Sequence, residues 1–188
     1  EHDGPGRDDV GIAVPVDVTD RTAVVAGVAA ATAKHGTVDI LVNNAGIQRR
    51  APFTEITQKD WDDVIATNLT APFVVSQAVL PGMIAKKSGK IIHIGSLMSD
   101  LARPTVVPYT AAKGGVLSLT RALAASYGKQ HVRVNAICPG SIKGPRIDGV
   151  IERDAAARGL TAAQIRTLYE RQVSLRHFVD AEDVANTA

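Results

Sequence analysis

The chain has 188 residues, 45% of them hydrophobic and 21% charged, which is enough apolar material for one folded domain with a core. Lysine and arginine number 21 against 19 acidic residues, and these charges are dispersed, so no nucleic-acid partner is expected. We expect no apolar segment to reach membrane-spanning length, and the N-terminus shows no signal-peptide pattern. The single cysteine, Cys138, cannot form an intrachain disulfide. These features favour a cytoplasmic protein without a membrane partner.

Apolar runs and longer amphipathic segments alternate along the chain. Short β-rich runs predict four buried strands, at residues 12–16, 39–42, 90–94 and 133–137. The segments between them predict three long helices, at residues 20–34, 57–85 and 107–128. Pro72 and Pro81 predict irregularities within the second helix.

Strands that alternate with helices favour an α/β fold, with a doubly wound parallel sheet covered by helices on both faces. We expect residues 1–188 to form a single domain of this kind. Ligands of such sheets bind beyond the carboxyl ends of the strands. Polar or glycine-rich turns follow all the predicted strands, at Asp17, Asn43 with Asn44, Ser96, and Pro139 with Gly140. Each turn alone could be a simple cap, but together they predict a ligand site at one edge.

Tyr109 and Lys113 are four residues apart in the third predicted helix, so the phenol and the ammonium share one helix face. A cation beside a phenol favours the phenolate, and such a tyrosine can exchange a proton with an alcohol oxygen. Ser96 supplies a hydroxyl that can donate a hydrogen bond to the same oxygen. The tyrosine–lysine spacing is common by chance, so the hypothesis depends on these companions.

The motifs resemble those of the classical short-chain dehydrogenase/reductase family over most of the chain. They occur in the order Asp17-Val18, Asn43-Asn44-Ala45-Gly46, Asn68, Ser96, Tyr109-x-x-x-Lys113 and Pro139-Gly140. The resemblance implies a Rossmann-like fold and an oxidoreductase that uses NAD or NADP. It implies a catalytic set of Asn68, Ser96, Tyr109 and Lys113, in which Asn68 could hold a water that connects Lys113 to solvent.

The resemblance also implies cofactor contacts and an assembly. The residues expected at the cofactor are Asp17 and Val18 by the adenine, Asn44, Ala45 and Gly46 against the cofactor, Tyr109, Lys113 at the ribose, and Pro139 and Gly140 by the nicotinamide. The family implies a homotetramer built partly on the helices that carry Asn68 and Tyr109. No metal site is expected.

A narrower resemblance links residues 46–55, 76–79 and 96–103, together with Trp61, to gluconate 5-dehydrogenases of this family. A guanidinium can hold a carboxylate with two hydrogen bonds. We therefore expect Arg49, Arg103 and Ser96 to contact a small-molecule substrate such as a sugar acid. Arg50 is a further candidate.

The chain also departs from the family pattern. No glycine-rich phosphate turn follows a strand near the N-terminus, where Gly4 and Gly6 precede no suitable helix. We expect an N-terminal strand-helix-strand-helix portion and the last strand to be absent from this chain. Residues 141–176, expected to cover the substrate, are unlike the gluconate enzymes, and Gly144 stands where the family often has a threonine.

The leading hypothesis is an NAD(P)-dependent oxidoreductase that interconverts a secondary alcohol and a ketone on a sugar acid or polyol such as gluconate. A 3-oxoacyl thioester reductase or a 3-hydroxy acid dehydrogenase is the alternative within this class. A non-catalytic dinucleotide-fold scaffold or a truncated remnant is the alternative of another class, since the phosphate turn is missing.

Overall fold

A computed structural model describes residues 11–188, so Gly4 and Gly6 lie outside the described residues. Within that range, a parallel sheet has the order β1-β2-β3, with strands β1 (Ile40–Asn43), β2 (Gly89–Ile94) and β3 (Val132–Ile137). The helices are α1 (Arg21–His35), α2 (Gln58–Ile65), α3 (Ala71–Lys86), α4 (Val107–Tyr127), α5 (Pro145–Arg158), α6 (Ala162–Glu170) and α7 (Ala181–Thr187). Helices connect each strand to the next, which confirms the predicted α/β parallel architecture.

Residues 12–16, predicted to be the first strand, form no strand in the structure. A strand needs a neighbour for its backbone hydrogen bonds, and β1 pairs with β2 alone among the described strands. Val14 and Val16 instead pack on α1, where a Cβ at Gly27 would lie 2.9 Å from Val16 Cγ2. The prediction was wrong because an apolar run indicates only that a segment packs against other residues, whereas a strand also requires a neighbouring strand for its backbone hydrogen bonds.

The predicted second helix is one continuous helical segment with a π turn in its middle. Thr57 caps α2, since its Oγ1 accepts a hydrogen bond from the backbone N–H of Asp60 at 3.0 Å. The π turn (Ala66–Thr70) comes just before Pro72. A proline ring clashes with the carbonyl four residues earlier in a regular helix, and a widened turn relieves that clash. Pro81 does not end α3, which continues to Lys86.

This segment, Gln58–Lys86, is 29 residues long and contains an 18-residue window with a mean hydropathy of 1.4, so by length and composition it could cross a membrane. The expectation that no apolar segment reaches that length was therefore wrong. A core helix of a folded domain meets the same criterion. The apolar face of α3 is buried against the sheet, where Val79, Leu80 and Met83 pack with Ile91 and Val134.

A polar network is buried in the same layer, between the sheet and helices α3 and α4. His93, fully buried in β2, lies 2.8 Å from Thr120 Oγ1 through Nδ1 and 3.3 Å from Ser76 Oγ through Nε2. Thr120 donates to the carbonyl of Val116, and Asn43 Nδ2 donates to Ser76. Burial, with a smaller contribution from the charge of Lys113, lowers the pKa of His93 to about 4. His93 is therefore a neutral imidazole that ties β2 to both helices.

Candidate active site

The loops that follow β2 and β3 are joined by backbone hydrogen bonds at the carboxyl edge of the sheet. Gly95 N donates to Ile137 O at 2.7 Å, and Leu97 N donates to Pro139 O at 3.0 Å. A cavity of about 400 Å³ lies over this edge. Its position is the one that parallel α/β sheets offer to ligands.

Ser96 lies in the lining of this cavity and begins a short 3-10 turn (Leu97–Ser99). Its Oγ accepts a hydrogen bond from Met98 N at 3.1 Å, and its backbone N–H donates to Ser99 Oγ at 3.3 Å. These two bonds fix the serine at the end of β2. Because the hydroxyl is the acceptor in the first bond, its own hydrogen remains able to donate to a ligand oxygen.

Tyr109 and Lys113 are both buried and both line the cavity, as their spacing predicts. Lys113 Nζ lies 5.7 Å from the centroid of the Tyr109 ring and donates to Ile94 O at 2.5 Å. Burial lowers the pKa of Lys113 to about 8. The charge of Arg146 also lowers the pKa of Lys113, whereas Cys138 raises it. Below pH 8 the lysine therefore remains a cation beside the phenol.

Asn68 lies fully buried in the π turn and holds the loop that follows β1. Its Oδ1 accepts from Ile47 N at 2.8 Å, and its Nδ2 donates to Ile47 O at 2.7 Å. A Cβ at Gly46 would lie 3.0 Å from Asn68 Oδ1 and 3.9 Å from Lys113 Nζ. A side chain at position 46 would therefore press on the Asn68 amide, close to the Lys113 ammonium.

The residues expected at the cofactor fall into two groups. Asn44, Gly46, Tyr109, Lys113, Pro139 and Gly140 line the cavity. Asp17, Val18 and Ala45 do not belong to that lining. Asp17 Oδ1 accepts from Thr19 N at 2.9 Å and from Thr19 Oγ1 at 2.8 Å, and these bonds, the backbone one first, lower the pKa of Asp17.

The arginines expected at the substrate also separate. Arg49 points to α2, where its guanidinium lies 3.5 Å from Asp60 and 4.0 Å from Asp63, and it does not line the cavity. Arg50 and Arg103 do line it. Neighbouring side chains on an irregular loop point in different directions, so the sequence alone does not show whether Arg49 or Arg50 faces the cavity.

Arg146 is a site residue that no sequence motif singled out. This residue is in the first turn of α5, lines the cavity, and donates from Nη2 to Gly46 O at 3.4 Å. Its partner is a hundred residues away along the chain, so no local pattern announces the contact. Pro145, Ile147 and Val150 of the same helix also line the cavity. The first two turns of α5 thus cover it, while α6 contributes no lining residue.

Comparison with known proteins decides the family. Residues 7–156 match the family model described as short chain dehydrogenase. The chain belongs to the short-chain dehydrogenase family. Its fold agrees with this assignment, since it superimposes with a TM-score of 0.81 on a gluconate 5-dehydrogenase from Burkholderia cenocepacia, solved in complex with NADP and tartrate. That match is 34% identical and covers 91% of this chain and 64% of the other.

Two curated short-chain dehydrogenase relatives act on gluconate or its keto form by name. The gluconate 5-dehydrogenase of Gluconobacter oxydans is 52% identical over 124 residues, which are 66% of this chain and 48% of the relative. The 5-keto-D-gluconate 5-reductase of Escherichia coli K12 is 44% identical over 144 residues, or 77% of this chain and 57% of the relative. The chain thus spans about half the length of the curated relatives that it matches.

Proposed function

We propose that this protein is an NAD(P)-dependent oxidoreductase that interconverts a secondary alcohol and a ketone, on a sugar acid or polyol such as gluconate. The observation that carries the proposal is the convergence of Ser96, Tyr109 and Lys113 on one cavity at the carboxyl edge of the sheet. Gluconate-directed relatives within the family support the same substrate class.

In this proposal Tyr109 is the acid-base group. Its phenolate oxygen takes the proton from the substrate hydroxyl during oxidation, and its phenol donates a proton to the ketone oxygen during reduction. Ser96 donates a hydrogen bond to the same substrate oxygen and stabilises the negative charge that develops there. Lys113 is a cation at neutral pH, and its ammonium lies 5.7 Å from the centroid of the Tyr109 ring.

The lining residues suit a nicotinamide dinucleotide, which when bound supplies the hydride acceptor or donor. Gly46 and Gly140 line the cavity and contribute no side chain to it. Lys113 uses one N–H on Ile94 O, which leaves two to hold ribose hydroxyls. Asn68 orders this turn, and we propose that it also positions a water between Lys113 and solvent.

We assign the substrate's anionic end to Arg50 and Arg103, because Arg49 is paired with acidic residues outside the cavity. Asp17 and Val18 remain the proposed contacts of the adenine. We further propose a cytoplasmic homotetramer, with α2 to α4 at its interfaces.

Steady-state assays with NAD and NADP test the proposal on gluconate, sorbitol, 3-hydroxybutyrate and an acetoacetyl thioester in parallel. We expect reduction of the nicotinamide with gluconate or sorbitol. Turnover of the acetoacetyl thioester or hydroxybutyrate alone would establish the alternative reductase or hydroxy acid dehydrogenase. Turnover of none of these compounds would contradict the proposal and favour a non-catalytic scaffold.

A further inference from the structure

Three arginines on elements that border the cavity have no carboxylate partner within ion-pair distance in the part of the chain that the structure describes. Arg50, from the loop after β1, and Arg103, from the loop before α4, line the cavity, whereas Arg153 of α5 lies outside that lining and acts on Arg50 through its charge. Arg49, the sequence neighbour of Arg50, is paired with two aspartates. We call the three residues the arginine cluster.

Neutral groups hold two members of the arginine cluster in place. The guanidinium of Arg103 lies 5.2 Å from the centroid of the Tyr169 ring and donates to Gln172 Oε1 at 3.3 Å. Arg50 Nε donates to Gln48 Oε1 at 3.3 Å. An aromatic ring and amide oxygens orient a guanidinium but leave its full positive charge for a ligand.

The cluster brings like charges close together. A backbone hydrogen bond from Ala51 N to Thr105 O, 3.1 Å long, fastens the loop of Arg50 to the loop of Arg103. Partial burial is the main cause that lowers the pKa of Arg50, and the charges of Arg153 and Arg103 act in the same direction. Such mutual repulsion is relieved when an anion binds.

Acidic and phenolic groups near Arg50 do not remove this excess of positive charge. Tyr169 and Asp154 raise the pKa of Arg50, whereas the neighbouring arginines lower it. The carboxylate of Asp154, however, already accepts a hydrogen bond from Arg158 Nε at 3.0 Å. The residues that line the cavity include no aspartate or glutamate.

Arg146 and Arg153 both lie on α5. The charge of Arg146, in the first turn of this helix, lowers the pKa of Lys113. The charge of Arg153, seven residues later, lowers the pKa of Arg50. Seven residues of helix separate their Cα atoms by about 10 Å. A substrate whose reacting carbon lies at Tyr109 would therefore present its far end to the cluster.

We propose that the arginine cluster binds a phosphate monoester at the end of the substrate remote from the reacting carbon. The inference rests on the proposed oxidoreductase function and narrows its substrate class to phosphorylated polyols or sugar acids. One guanidinium suffices for a carboxylate, whereas a phosphate monoester carries about −1.5 to −2 charge and three acceptor oxygens, which several guanidinium groups match better. Arg153, Tyr169 and Gln172 come from residues 141–176, the segment expected to differ from the gluconate enzymes.

Isothermal titration of the protein with three six-carbon compounds tests this proposal. Sorbitol 6-phosphate, gluconate and sorbitol carry a terminal phosphate, carboxylate and hydroxyl, respectively. We expect sorbitol 6-phosphate to bind about tenfold or more tighter than gluconate, and sorbitol to bind weakest. Equal or tighter binding of gluconate would overturn the proposal.

Arg50→Gln and Arg103→Gln, made separately, should each bring the affinity for sorbitol 6-phosphate down to about that for gluconate. Arg121→Gln changes an exposed arginine of α4 outside the cavity and should leave the preference intact. Thermal unfolding of each variant checks that it is folded. A phosphate preference that survives both cluster substitutions would contradict the assignment to these residues. Absence of turnover with every alcohol would instead refute the proposed function, and the two failures are thus distinguishable.

Discussion

The burial of Lys113 should make the stability of the folded protein depend on pH. Burial lowers this pKa from 10.5 to about 8, so between these pH values the unfolded chain holds a proton on Lys113 that the folded protein has lost. Stability therefore rises with pH across this window, by about 3 kcal/mol from this residue.

Urea unfolding at both ends of the window measures this rise. The Lys113→Met variant should lack it, so the stability of the wild type relative to this variant should increase with pH. Lys129→Met removes an exposed lysine and should behave as the wild type does. Parallel pH dependence of the wild type and Lys113→Met would show that Lys113 keeps an ordinary pKa.

His93 gives the complementary prediction in acid. Its pKa of about 4 lies below the ordinary 6.5, so the unfolded chain takes up a proton first as the pH falls. Stability from this residue is complete above pH 6.5 and is lost as the pH falls towards 4, by about 3 kcal/mol.

His93→Asn should remove most of this acid sensitivity, and His131→Asn, at an exposed histidine, should not. Urea unfolding across the same pH range is the measurement. If His93→Asn and the wild type lose the same free energy of unfolding on acidification, then the buried network does not hold His93 neutral.

The π turn is the element that joins the core to the site. Asn68, which is fully buried in this turn, makes two hydrogen bonds to the backbone of the partly buried Ile47. Asn68→Ala leaves both backbone groups without a partner, so we expect a loss of about 3 kcal/mol in the free energy of unfolding.

Gln58→Ala is the control for this prediction, since it removes only an exposed contact with Asp62 on α2. It should change the free energy of unfolding by about 0.5 kcal/mol or less. Chemical denaturation of both variants provides the comparison. Similar values for the two would mean that the turn at Ile47 does not depend on Asn68.

Local sequence patterns predicted the elements well and their contacts less well. Three predicted strands lie within a residue or two of β1, β2 and β3, because alternating apolar runs bounded by turns are local signals. Residues 12–16 carry the same signal but lack a paired neighbour. Pro72 correctly indicated an irregularity, yet a proline alone does not specify a π turn.

The same division holds within the site. Tyr109 and Lys113 are related by helix geometry, and helix geometry can be predicted from spacing. Arg146 reaches Gly46 across the cavity, and Arg49 turns to Asp60 while Arg50 turns inwards. The directions of these side chains depend on the conformations of the loops in the folded protein, which no local sequence pattern predicts.

For the whole molecule, the proposed tetramer makes a prediction about mass. Phe73 on α3 is 43% exposed, and burial of such a side chain in an interface is favourable. Light scattering should give four times the 19.7 kDa mass of the chain, and Phe73→Glu should reduce it. Phe53→Glu, at a 72% exposed phenylalanine in the short 3-10 helix Phe53–Glu55 before α2, should leave the mass unchanged. A monomeric wild type would contradict the prediction.

The central claim is that Tyr109 moves the proton while the cavity around it binds the ligands. Tyr109→Phe keeps the ring packed on Val64 and Ala112 and removes only the phenolic hydroxyl. Turnover of the best alcohol substrate should fall by about a hundredfold to ten-thousandfold, with the affinity for NADP largely retained. Tyr127→Phe, at the other end of α4, should turn over normally. Normal turnover in Tyr109→Phe would contradict the account.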